Sequence, residues 1–91
     1  MTGLAMTTYA VTEPEKRFFL HEGESLESLE DLFTELQTIE EYQFSHHVNE
    51  ERHDFANWVE HCFEDKFLAK RMRSAKSIEE LQKEIFISLF R

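Results

Sequence analysis

Four of the five histidines, with the only tryptophan and the only cysteine, fall between His46 and Phe63 of a 91-residue chain. Imidazole, carboxylate and thiol groups this close together raise two chemistries, metal ligation and acid–base catalysis. His46, Glu50, His53 and His61 are the metal-ligand candidates, because zinc or iron accepts His and carboxylate donors. A helical metal site uses pairs three or four residues apart. Glu50–His53 and His46–Glu50 have those spacings. Both pairs, however, straddle Asn49, and asparagine tolerates helix ends. The plainer reading makes His46, His53 and His61 exposed polar positions and His47 a hydrogen-bonded histidine at the core boundary.

A second polar set is His47, Asn49, Asp54, Asn57 and Trp58. Asp54 could accept hydrogen bonds from free amides at a helix start. It could also pair with His47 or Arg52. Such a network would lock the junction between two helices. The catalytic alternative is a His47–Asp54 acid–base pair. Catalysis would also require a pocket and a nucleophile or electrophilic stabiliser, and the sequence has no nucleophile elbow and no Gly-rich phosphate loop. Cys62 lies on an apolar stripe and reads as a small core hydrophobe. These features lead to the expectation of a non-enzymatic protein with no cofactor. The alternative is a metal-binding or catalytic helical domain using the His46–His61 cluster.

The elements that must position these residues are mainly helical. Leu29, Leu32, Phe33, Leu36 and Ile39 form one apolar stripe at helical spacing, with Ser28 as cap and Asp31 in a capping-box-like place. Thr38 and Glu41 suggest a new start, for a short helix carrying Tyr42, Phe44, His47 and Val48. After a break at Asn49, a helix from about Asp54 places Phe55, Trp58, Val59, Cys62 and Phe63 on one face. Lys66–Arg73 continues as helix, with Phe67, Leu68 and Met72 as core candidates. Ser77 and Glu80 make a capping box for a last helix with Ile78, Leu81, Ile85 and Leu89 inward. Ahead of these, Phe18-Phe19-Leu20, a turn at His21–Glu24 and Ser25-Leu26 resemble a small hairpin, with Gly23 free to take positive φ.

The fold expected is therefore mainly α. It is a bundle of four or five short helices, optionally preceded by the hairpin, in one domain over residues 16–91. Residues 1–15 are read as a flexible leader. The expected core is Phe19, Leu29, Leu32, Phe33, Leu36, Phe44, Phe55, Trp58, Val59, Phe63, Leu68, Leu81 and Ile85.

Charge narrows the partners. The net charge of −9 disfavours nucleic acid and anionic membranes, which attract positive charge. Ten acids and no Lys or Arg lie from Phe18 to Glu51, whereas Lys66 to Lys76 holds five bases and no acid. Lys70, Arg71, Arg73 and Lys76 are the candidate anion-binding residues, although cations are also favoured at a helix C-terminus. The acidic front and basic back could also support head-to-tail association. Phe86, Ile87 and Phe90 exceed what one inward stripe can bury and form the candidate interaction surface. One cysteine excludes an internal disulfide and suits a cytoplasmic setting. The expected partner is another protein or a second copy of the chain.

The run His47-Val48-Asn49, then Arg52-His53-Asp54-Phe55-Ala56-Asn57-Trp58-Val59, then Phe63-x-Asp65-x-x-Leu68-Ala69, resembles a small prokaryotic domain family of unknown function. Its signature is His-Val-Asn … Asn-Asp-Phe-Ala-x-Trp. Phe19, Gly23 and Ser28-Leu29-Glu30-Asp31-Leu32 match its preceding part, so the resemblance spans about residues 18–80. His53 stands where that pattern has Asn. The resemblance implies a small, mainly helical domain, often a module beside other domains, and supplies no catalytic residues.

Overall fold

The structure, a computed structural model, describes residues 9–11 and 13–90. Five helices follow a two-stranded antiparallel hairpin. The strands are β1 (Phe18–Phe19) and β2 (Ser25–Leu26). The helices are α1 (Leu29–Leu36), α2 (Glu41–His47), α3 (Asp54–Phe63), α4 (Lys66–Ser74) and α5 (Ile78–Phe90). α3 packs on α4, and α5 packs on both α1 and α4.

Each helix start has a local cause. Ser28 Oγ accepts the Asp31 amide at 3.0 Å, and Asp31 Oδ2 accepts the Glu27 amide at 3.0 Å. α2 begins two residues later than Thr38 suggests, with Glu40 as its cap residue and Gln43 Oε1 accepting the Glu40 amide at 3.4 Å. Asp65 Oδ1 accepts the Leu68 amide at 2.9 Å to open α4. Ser77 Oγ accepts the Glu80 amide at 3.1 Å, while Glu80 Oε1 accepts the Lys76 amide. These bonds satisfy donors that a helix leaves without an internal partner.

The hairpin faces differently from the sequence expectation. Phe18 pairs with Leu26 and both point inward, so Phe19, opposite Ser25, is exposed. Neighbouring strand residues must face opposite sides, and only one phenylalanine can be core. Positive φ is taken by Glu22, at 57°, not by Gly23. Gly23 is needed for space, since a Cβ there would meet Leu20 Cβ at 3.1 Å. Tyr9–Val11, within the expected leader, run beside the residues preceding α1. The Leu29 amide donates to Tyr9 O at 2.8 Å and the Val11 amide to Glu27 O at 2.8 Å. Residues 1–8 and 12 of that expected leader lie outside the described residues.

The core gathers Phe18, Leu29, Leu32, Leu36, Phe44, Phe55, Trp58, Val59, Leu68, Met72, Leu81 and Ile85. Phe67 is a second correction, being 80% exposed. On α4 the buried stripe is Leu68, Ala69 and Met72, continued by Ala75, and Phe67 faces away from it. Phe33, Phe63 and Cys62 are half-buried against the core rather than inside it.

α3 ends at Glu64, whose φ of 55° and ψ of 31° place it in the left-handed region. That geometry costs a side-chain-bearing residue, and a carboxylate at a helix C-terminus opposes the helix dipole. Glu64→Gly removes both costs and should stabilise the domain by about 1 kcal/mol, read as a higher urea midpoint. An unchanged or lower midpoint would contradict the assigned backbone geometry.

Candidate functional site

The break between α2 and α3 is built from its own polar side chains. The Asn49 side chain donates to Ser45 O at 3.0 Å and accepts the Glu51 amide at 2.9 Å. The Asn49 amide donates to Arg52 O, and Val48 bridges His53 in antiparallel fashion. Arg52 donates through Nε and Nη2 to His46 O, at 3.2 and 2.7 Å. A cation thus covers a carbonyl in the last turn of α2, where the dipole favours it.

His47, in the last turn of α2, is buried at the centre of this junction. Its Nε2 accepts the backbone amide of His21 at 3.0 Å. That contact requires a lone pair on Nε2, so the proton resides on Nδ1. Nδ1 then donates to Asp54 Oδ2 at 2.9 Å. Asp54 Oδ2 also lies 3.5 Å from Arg52 Nε. One ring therefore joins the hairpin turn, α2 and the start of α3. Gln43 Nε2 reinforces the turn by donating to His21 O at 2.9 Å.

Asp54 does not cap α3. That role falls to His53, whose Nδ1 accepts the Ala56 amide at 3.3 Å. The opposite nitrogen, Nε2, donates to Ala75 O at 3.1 Å, tying the start of α3 to the end of α4. At 6% exposure His53 is buried, against the exposed position expected of it. Burial first, then the positive charges of Arg73 and Lys76, holds the His53 imidazole below its ordinary value. Trp58 joins the same core by a different route. Its ring meets Phe18 and Phe63 edge-on, and Nε1 donates to Lys16 O at 2.8 Å.

The four metal-ligand candidates do not converge. His53 is committed to the backbone, and His61 Nδ1 sits 2.8 Å from Asn57 O on its own helix. His46 is exposed and stacks on His21, with ring centroids 4.0 Å apart. Partial desolvation first, then His21, His47 and Arg52, lowers its affinity for a proton. Glu50 is an exposed turn residue. Among the described residues, no group of three or more His, Cys, Asp or Glu side chains is placed to hold a metal ion. Burial raises the Cys62 thiol above its ordinary range, away from the thiolate that nucleophilic chemistry uses.

The chain matches no family model, no curated protein and no solved structure. What the surface does must be read from its own geometry.

The candidate anion-binding residues divide between two faces. Arg71 turns to α5, donating to Glu84 Oε1 at 3.1 Å and Ser88 Oγ at 2.7 Å. Arg73 turns to α3, with Nη2 2.8 Å from Asn57 Oδ1 and 2.7 Å from Glu60 Oε1. The Arg73 hydrogen bond holds the Glu60 carboxyl below its ordinary value. Lys70 and Lys76 are exposed. The candidate interaction residues stay together. Phe86 is 50% exposed, Ile87 39% and Phe90 65%. The Phe86 and Phe90 rings lie 4.7 Å apart, and Phe86 meets Phe33 of α1 at 6.0 Å. No helix among the described residues is long and apolar enough to cross a membrane.

Sequence reasoning missed His21 and Gln43 as members of the junction. The His21 amide donates to the His47 ring and the Gln43 side chain donates to His21 O, each across more than twenty residues, a relation that no linear spacing records. The cap at His53 had a signal, because the resembling pattern has Asn there and Asn is a preferred cap.

Proposed function

We propose that the chain is a non-enzymatic interaction module that self-associates through the exposed face of α5. The observation that carries this is the continuous aromatic surface of Phe86 and Phe90, extended by Phe33 and left open to solvent. A second copy is the occupant that suits it. From Ile85 to Phe90 the chain has no charged residue, so two such faces can meet without burying an unpaired charge. Support for a non-enzymatic role comes from the histidines. Both ring nitrogens of His47 and of His53 are occupied by protein partners, whereas a general base needs one directed at substrate.

Light scattering at rising concentration tests the proposal. The expected mass approaches twice that of the monomer, and Phe86→Glu with Phe90→Glu returns it to one. Each copy has a charge of −9, so added salt should screen repulsion and strengthen the pair. A head-to-tail pair held by the acidic front and basic back would instead weaken in salt. A monomer throughout, or a double variant that still dimerises, would overturn the proposal.

A further inference from the structure

A polar pocket of about 300 Å³ opens between the turn at 49–52, the first turns of α3 and the end of α4. We propose that this pocket binds a small phosphate-type oxyanion between Arg73, Lys76 and Asn57. These three residues come from α4, the loop that follows it and α3, and all three line the pocket. Their donors are available. Arg73 uses Nη2 for Asn57 and Glu60, and its Nε and Nη1 have no partner among the described residues. With Asn57 Oδ1 accepting from Arg73, the Asn57 Nδ2 amide likewise has no partner among them. Lys76 makes no ion pair among them either.

The geometry matches what oxyanion recognition needs. Arg73 supplies charge and an N–H donor from Nε or Nη1, since both forks of its guanidinium include the Nη2 already bound to Asn57 and Glu60. The Lys76 ammonium adds a second positive charge, and the Asn57 amide adds direction. Glu60 and Asn57 fix the guanidinium before any ligand arrives, which reduces the ordering cost of binding. His53 reports the resulting field, since Arg73 and Lys76 both oppose its protonation. Glu50 and Glu51 line the same pocket. They favour a ligand whose remaining part carries hydroxyl or ammonium donors over a densely charged polyanion.

The test is a titration of inorganic phosphate into nitrogen-15-labelled protein, with sodium chloride adjusted to hold ionic strength constant. Saturable shifts are expected at the Asn57 side-chain amide and at the backbone amides of His53 and Lys76, with affinity on the order of millimolar. Saturation should also raise the pKa of the His53 ring, because a bound anion offsets the field of Arg73 and Lys76. Lys76→Gln touches an exposed side chain outside every ion pair among the described residues and should fold normally while binding at least about fivefold more weakly. Arg73→Gln should weaken binding further. Shifts that stay linear and match a chloride control would overturn the inference. So would unchanged affinity in folded Lys76→Gln.

Discussion

Phe55→Ala is expected to destabilise the domain by about 3–5 kcal/mol in urea denaturation, the range for removing a large buried aromatic. Phe55 is fully buried near the start of α3, and its ring is shared by the other elements of the junction. Phe18 of β1 lies 4.7 Å away between ring centroids, His47 of α2 5.3 Å, Phe44 of α2 6.3 Å and His53 6.4 Å. Truncation would leave a cavity bordered by the rings that position the His47 bond to His21. Rings held from several backbone segments cannot all collapse into that space, which places the cost toward the upper end. Trp58→Ala should lose a comparable amount, since it removes a large buried ring and the indole hydrogen bond to Lys16 O. Small domains have net stabilities of only about 5–15 kcal/mol, so either variant should lose a large share of the total. A Phe55→Ala loss below about 1 kcal/mol would be that of a surface position and would contradict this placement.

The helices were legible because apolar stripes run at helical spacing, and all five have a side-chain cap or capping-box bond at the start. α5 illustrates both strength and limit. Its stripe correctly put Leu81 and Ile85 inside and left Phe86, Ile87 and Phe90 outside. The same logic misplaced Phe67, because hydrophobicity ranks Phe above Ala. The face of α4 that packs on α3 and α5 instead uses the small residues Ala69 and Ala75 beside Leu68 and Met72. Small residues permit close helix approach, and that is a property of the pair of helices rather than of either sequence. Phe18 and Phe19 were indistinguishable for a simpler reason, since a two-residue strand holds no period to read. The pocket at Arg73 and Lys76 could not be found by spacing at all. Its walls come from three segments that meet only through the fold, and the basic run from Lys70 to Lys76 pointed to a single face where the structure has two.

His53 separates two interactions that one variant would confuse. Nδ1 caps α3 through the Ala56 amide, and Nε2 holds the buried Ala75 carbonyl. His53→Ala removes both. It should cost about 0.5–2 kcal/mol for the cap and about 1–3 kcal/mol more for a buried acceptor left unsatisfied. His53→Asn restores a preferred cap but is too short to bond Ala75 as well. It should therefore fall between the wild type and His53→Ala, by roughly the value of the cap. The ring also gives stability a pH dependence of known sign. Its folded pKa lies below the ordinary 6.5, chiefly because of burial. The unfolded chain then takes up its proton first as pH falls. The contribution of His53 is complete above pH 6.5 and is lost progressively below it, toward the lower folded value. His46 is shifted in the same direction and adds to the slope. Urea melts at about pH 7.5 and about pH 5.5 should show the wild type losing more stability between those values than His53→Asn does. If His53→Asn matches the wild type at neutral pH, the Ala75 bond contributes nothing. If it matches His53→Ala, the cap is not what His53 supplies to α3.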